Sequence, residues 1–571
     1  MKQSSLSPVP PSKLVKTVEI LLFLVATIFL VLHALHLKAD FPNHSPWVDW
    51  AKYTDEGWYG DAAIRHFQLG HWYVPGDFNP AAALPVWPLL EAALFRFTGV
   101  NLVAARGLAF GIFTLILVSS WLLLRRWHIL NTLARPSSAQ ASATSLAPAV
   151  AVLLLAVSPF CYAFSRMAIL EPLLILFTLL ALLAASYATP QQGTGPSTLK
   201  AHLSRILPLL ALGLLLPLMV LTKTTAVCLI PAIAWLLLAR AGYSLRSFLR
   251  LALPPAILGI AVWLGYYLLL VRPHFLSDYH YLFDANSYTS ITPSTVLDVL
   301  SDTIVRGICI GNIMYPFALT TLTIALAVWP RVMRNPLIPA LLLWVAGYAT
   351  FLAYHDNLQP RYYLVVAVPL TLLVPLIYEG IWNATRSTAS RPVLRWRSFA
   401  TATVVAILAV LTVTDARQTL HYVRNPDYTF TAAAAQIHQI VSSDHTHNSL
   451  ILSISGSNLS LMTGLPSICD DFGTMDLAVR VRAYRPGWYI AWNHVEDDKM
   501  DALTPLYRLQ RVAEFPAMDD PERNLLILYR LDPAAPATPP SHRRKLIIPH
   551  LLPHLLQTSF GQQPSVPRLE H

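Results

Sequence analysis

The chain has 571 residues, of which 55% are hydrophobic and only 13% charged, about half the roughly 25% of an ordinary soluble protein. A mean hydropathy of +0.49 and apolar runs that reach the ~20 residues needed to cross a bilayer exclude a string of soluble domains, a disordered chain, a collagen and a disulfide scaffold. The net charge of +10 does not indicate nucleic acid once the positions of the basic residues are considered, and the sequence reads as a polytopic α-helical membrane protein.

Lys2, Lys13 and Lys16 precede an apolar stretch from Ile20 to Leu35 that no small-residue cleavage site follows. This predicts a retained first span and not a signal peptide. Further apolar segments place spans near 18–37, 103–124, 147–163, 169–188, 206–222, 225–240, 251–271, 307–329, 336–354, 361–381 and 398–414, about eleven crossings. Residues 84–98 are shorter and interrupted by Pro85, Pro88, Glu91 and Arg96. They read as an interfacial or re-entrant helix, because a full crossing would put Arg125 and Arg126 on the wrong side.

Alternate loops (1–17, 125–146, 189–205, 240–250, 331–335 and 382–397) then hold seventeen Lys and Arg and no acid. A basic excess on one side orients the spans, so the N-terminus is expected inside. Three larger segments fall outside: the loop 38–102, the loop 272–306 and everything from Asp415 onward. Residues 415–531 become more polar, with an Ala-rich helix at 429–441, strand-like runs at Leu450–Ser453, Trp488–Trp492 and Leu525–Tyr529, and a helix at Met500–Leu509. They predict a small soluble α/β domain. From residue 532 the chain is Pro-rich and then basic, a loosely ordered tail. Cys161, Cys228, Cys309 and Cys469 make no metal spacing, and buried inert thiols are the expectation.

Charged groups at membrane depth are candidates for function, and four short stretches carry them on the outer side. Asp55 and Glu56 open an amphipathic helix with Tyr59, where acids also suit the helix dipole. Glu171 heads a span in Ile169-Leu170-Glu171-Pro172, with Arg166 as its expected structural partner. Lys223 stands among hydroxyls in Leu221-Thr222-Lys223-Thr224-Thr225. A snorkelling Lys is the plain alternative, and phosphate binding is the functional one. Arg361, in Pro360-Arg361-Tyr362-Tyr363, runs against the charge bias, and an anion would explain it.

In this order and sidedness, with Leu84-Pro85-Val86-Trp87-Pro88 between the first two, the motifs resemble the GT-C superfamily of integral-membrane glycosyltransferases. The similarity spans roughly residues 18–382 and points to the branch of protein O-mannosyltransferases and lipid A aminoarabinose transferases. It implies a fold of about 11–13 transmembrane helices with a C-terminal extracytoplasmic domain. It also implies a polyprenyl-phosphate sugar donor, an acceptor hydroxyl on protein, lipid A or polysaccharide, and a periplasmic site on a bacterial inner membrane. Two departures stand out: Glu171 replaces the usual Asp, and Leu84 replaces the Lys that aminoarabinose enzymes carry before the Pro, which argues against that sugar.

The leaving phosphate is already a good anion, so the reaction needs a base and positive charge. Asp55 is the expected base, and Lys223 and Arg361 are expected to hold the phosphate, with Tyr362 beside them. Glu171 would orient the acceptor, assist Asp55, or share a divalent cation with it, although no cofactor is required. Glu56 and Tyr59 would shape the acceptor entrance, and Arg272, His274, His280 and Tyr281 are candidate sugar or phosphate contacts. The competing expectations are a polyprenyl-lipid flippase without transferase activity, and a membrane anchor for an active C-terminal domain.

Overall fold

The computed structural model describes residues 13–133, 145–190, 199–284, 292–298, 301, 314–328, 330–355, 359–386 and 391–534. Residues 1–12, Cys309, most of residues 285–306 of the predicted loop 272–306, the start of the span at 307, and the tail from 535 lie outside them.

Among the described residues, eight helices are long and apolar enough to cross a membrane, and a bent pair makes a ninth if it is one span. The shorter apolar helices Thr224–Arg240 and Phe317–Ala327 fall on the two remaining predicted spans. The chain is a multi-pass membrane protein. In order, the helices are α1 (Lys13–Ala34), α2 (Asp55–Leu69), α3 (Val86–Thr98), α4 (Leu102–Leu133), α5 (Ala147–Val157), α6 (Pro159–Ser165), α7 (Leu170–Tyr187), α8 (Leu199–Thr222), α9 (Ile230–Arg240) and α10 (Leu245–Tyr266). Helices Leu337–Tyr354, Leu364–Arg386 and Arg391–Arg424 follow. The last runs through the predicted boundary at residue 414 into the C-terminal region. Residues 84–98 form the short helix α3, packed on α2.

Breaks in these helices place the polar residues. Ser158 accepts a bond from the Cys161 N–H as the cap of α6, and Pro159 cannot continue α5, so the chain bends by 66° there. α7 then opens from extended Ile169 with Glu171 and Pro172 in its first turn, where an acid meets the positive end of the helix and Pro lacks only a hydrogen already unpaired. Lys223 is extended between α8 and a 3-10 segment, Thr224–Leu229, and Arg361 lies in the 3-10 turn Pro360–Tyr363. Of the eight single spans, the helices that bring Glu171 and Arg361 are the most enclosed, at 72% buried each, against 11% for α1. The polar site is therefore carried by the centre of the bundle.

The C-terminal region holds a mixed sheet of order β2-β1-β3-β5-β4, with β1 (Ile451–Leu452), β2 (Ser467–Ile468), β3 (Trp488–Trp492), β4 (Tyr507–Pro516) and β5 (Leu525–Pro533). β1 runs parallel to β2 and β3, and β5 is antiparallel to β3 and β4. The helix expected at 500–509 is shorter, Asp497–Leu503, and Tyr507 already begins β4. β4 shows an alternating exposed and half-buried pattern over its first residues, so its apolar side chains give no continuous run to read. Asp40 of the first loop caps the helix Thr429–Ser443, accepting from the Phe430 and Thr431 N–H groups at 2.8 and 3.1 Å. Tyr53 is buried in the domain's core with Phe430 and Trp492. First loop and domain thus share one hydrophobic core, which removes apolar area from water on both sides of the join.

Candidate active site

Asp55, at the first turn of α2, is 1% exposed. The Thr54 hydroxyl lies 2.9 Å from its Oδ1, and Arg361 Nη2 lies 2.7 Å from its Oδ2. That contact is an ion pair without hydrogen-bond geometry, so Asp55 is neutralised and not saturated. Arg361 is aimed by a second acid: Asp49 accepts from its Nη1 at 2.5 Å and from its backbone N–H at 2.8 Å. Asp49 also accepts from the Ala51 N–H at 2.8 Å, and the Trp50 N–H donates to Gln359 Oε1 at 3.0 Å. Segments 49–51 and 359–361 are therefore laced together, and the guanidinium has little freedom to leave Asp55.

Lys223 Nζ donates to Glu171 Oε1 and sits 4.0 Å from the centre of the Tyr362 ring. Arg361 stacks on the same ring at 4.6 Å and donates to the Tyr362 hydroxyl at 3.2 Å. Tyr362 is thus a cation–π platform for both charges. The Tyr59 phenol lies in the electrostatic reach of Asp55, Arg361, Tyr362 and Glu171. Burial raises the Asp55 carboxyl above its ordinary range, with Arg361 pulling it back and Asp49 pushing it further up. A raised carboxyl is a better proton acceptor than an exposed one.

The structure thus gathers Asp55, Tyr59, Glu171, Lys223, Arg361 and Tyr362. It places Glu56 elsewhere: Arg106 donates to both its oxygens at 2.7 and 2.5 Å, and the Ala168 N–H donates to Oε1 at 3.0 Å. Filled in this way, Glu56 ties α2 to α4 and to the turn before Glu171. Arg166, the expected partner of Glu171, donates instead to the Tyr162 hydroxyl and the His36 carbonyl. Lys223 takes its place, and at 8% exposed it does not snorkel. Arg272, His274 and His280 are exposed. Tyr281 accepts from the Gly473 N–H at 3.2 Å, which ties its loop to the C-terminal domain.

Sequence reasoning passed over Asp49, one outer acid among many, and Tyr348, whose phenol lies by Glu171 and Thr225. Tyr348 sits inside an unbroken apolar helix, and no residue pattern marks it. Among the described residues, no three His, Cys, Asp or Glu side chains converge as metal ligands. Asp55 and Glu171 alone, each already beside a cationic side chain, fit poorly a divalent ion that wants about six oxygens.

Comparison with solved structures finds ArnT of Cupriavidus metallidurans bound to undecaprenyl phosphate, at 14% identity and TM-score 0.55, over 89% of this chain and 97% of that one. The apo state of the same protein matches at 14% identity and TM-score 0.53, over 90% and 98%. This chain has the GT-C fold. The Archaeoglobus fulgidus oligosaccharyltransferase is a more distant likeness, at 11% identity and TM-score 0.44 over 82% of this chain and 69% of that one. No protein-family model matches the chain, and no curated protein matches it in sequence. The GT-C fold places four separated helix breaks of this chain at one end of the bundle, and they deliver the buried acids and cations described above.

Proposed function

We propose that the chain is an inverting glycosyltransferase that moves a sugar from a polyprenyl-phosphate donor to an acceptor hydroxyl on the periplasmic face of a bacterial inner membrane. The N-terminus is then cytoplasmic. The observation that carries the reading is the convergence of three buried carboxylates, Asp49, Asp55 and Glu171, with two buried cations, Lys223 and Arg361, that lie on the Tyr362 ring. Such charge in an apolar bundle is costly and marks a functional site by default. The GT-C fold, and the undecaprenyl phosphate bound by ArnT, favour a lipid phosphate as the anion.

In this reading the acceptor oxygen attacks the anomeric carbon, the bond from that carbon to the phosphate oxygen breaks, and the acceptor proton passes to Asp55. The electrons of the broken bond leave on the polyprenyl phosphate, which Lys223 and Arg361 hold. Arg361 Nε has no hydrogen-bond partner in the structure and offers the phosphate a donor without breaking an existing bond. One displacement inverts the anomeric configuration. Glu171 orients the sugar or acceptor, and Tyr59 lines the approach to Asp55. Catalysis by a fixed base and fixed charges needs no metal ion.

The test compares wild type with Asp55→Asn in membranes given radiolabelled polyprenyl-phosphate sugars and a total envelope extract. Label reaching an acceptor only with wild type is expected, and equal transfer by both would overturn the assignment. No transfer by either, with labelled donor crossing the bilayer, would favour a flippase instead.

A further inference from the structure

Near Glu171 of the reaction cluster lie two buried hydroxyls, those of Tyr348 and Thr225, that the proposed chemistry does not use. On the helix Leu337–Tyr354, a Cβ added to Gly347 would fall 2.0 Å from the Cys228 carbonyl oxygen. The helix therefore touches the segment Thr224–Leu229 backbone to backbone, a contact only Gly permits. It seats the next residue, Tyr348, wholly buried, beside Thr225 and within the electrostatic reach of Glu171. The Tyr348 hydroxyl, the Thr225 hydroxyl and Glu171 Oε2 are all buried without a well-formed hydrogen bond.

Each such orphan costs about 1–3 kcal/mol, and Phe and Val would fill the same space at no such cost. A sequence that keeps them supplies two neighbouring hydroxyl donors within the electrostatic reach of one carboxylate acceptor, in an apolar setting. A hydroxyl group is their complement, since it donates one hydrogen bond and accepts two.

We propose that Tyr348, Thr225 and Glu171 Oε2 form a subsite for one ring hydroxyl of the donor sugar and so select which sugar is transferred. The proposal rests on the transferase reading above. A sugar lacking that hydroxyl leaves Glu171 Oε2 without a donor and the two hydroxyls with at most each other, which is how a buried polar site rejects an analogue far more strongly than an apolar pocket does.

The test uses the full chain in nanodiscs with undecaprenyl-phosphate hexoses and their monodeoxy analogues. Wild type, Tyr348→Phe and Thr225→Val are compared by kcat/KM for each donor. Wild type should discriminate against one monodeoxy analogue by at least roughly tenfold, and each variant should lose roughly 10–100-fold on the parent sugar. On that one analogue the variants should match wild type or exceed it. Equal losses on every donor would mean a structural role, and no loss would mean the pocket holds only water. Either result overturns the subsite while leaving the transferase intact. A wild type that transfers no donor overturns the transferase reading and the subsite with it. If Tyr348→Phe fails to fold, Thr225→Val, at a half-buried position, carries the same comparison.

Discussion

Helix α2 carries two buried ion networks, and they are finished differently. In the later one, Asp61 accepts from Ser457 Oγ at 2.6 Å and pairs with Arg65 at 2.8 Å. Asp77 takes Arg65 on one oxygen and Arg480 on the other, with the Cys469 N–H at 3.2 Å from both. Every carboxylate oxygen there is filled, and apart from Arg65 the partners come from the C-terminal domain. In the first-turn network, the carboxylate oxygens Glu171 Oε2 and Asp55 Oδ2 have no hydrogen bond. Saturated charges hold parts together, while unsaturated ones are kept ready for something that is not part of the chain. The same criterion moves Glu56, both of whose oxygens are filled, to the structural side.

Breaking the saturated network should have the largest effect on folding. Arg480→Met leaves Asp61 and Asp77 to share the single buried cation Arg65, so it should cost about 3–5 kcal/mol. The readout is a lower thermal midpoint and easier proteolysis of the C-terminal domain, and an unchanged midpoint would contradict the docking role. In the open network, Lys223→Met should lower transfer by roughly 10²–10³-fold. It should also destabilise, because Glu171 loses its partner. Lys223→Met with Glu171→Gln should regain the thermal midpoint without regaining transfer, and that split separates chemistry from folding.

Asp49→Asn sharpens the comparison at a single positioning residue. Without its charge Arg361 is held less firmly, and kcat/KM for the donor should fall by about tenfold, or ~1.4 kcal/mol, with the thermal midpoint nearly unchanged. The smallest effect is expected at Asp470, in the C-terminal domain and outside both networks. Burial pushes its carboxyl from 3.8 up to about 7. Between those values the folded chain binds a proton that the unfolded chain has released, so stability falls as pH rises through that window. Asp470→Asn should flatten that slope and raise the midpoint above pH 7. A steeper slope would contradict the assignment.

The apolar runs made the spans legible, since a bilayer leaves a helix few alternatives. Asp55, Glu171, Lys223 and Arg361 stood out because charge at a helix break has a cost that a reader can see in one dimension. Their pairing did not. Arg166 lies five residues from Glu171 yet faces Tyr162 and His36, while Lys223 arrives from a distant break because α7 and α8 pack together. Asp49 was hidden among the outer acids, since only the tertiary approach of residues 359–361 gives it a partner. Tyr348 was hidden in an apolar helix, where the close contact at Gly347 decides its neighbours. β4 was misread at its start because Met500–Leu509 has helical spacing, and its pairing with β5 prevails.

The most direct measurement sets Asp55→Asn beside Asp61→Asn in the purified full chain, each scored for thermal midpoint and for sugar transfer. Asp55→Asn should lose transfer by roughly 10²–10⁴-fold with its midpoint unchanged or raised, because a buried charge has been removed. Asp61→Asn should lose thermal stability, while the folded fraction transfers near the wild-type rate. Transfer by Asp55→Asn at the wild-type rate, or the same loss of both properties in both variants, would contradict the division of labour along α2.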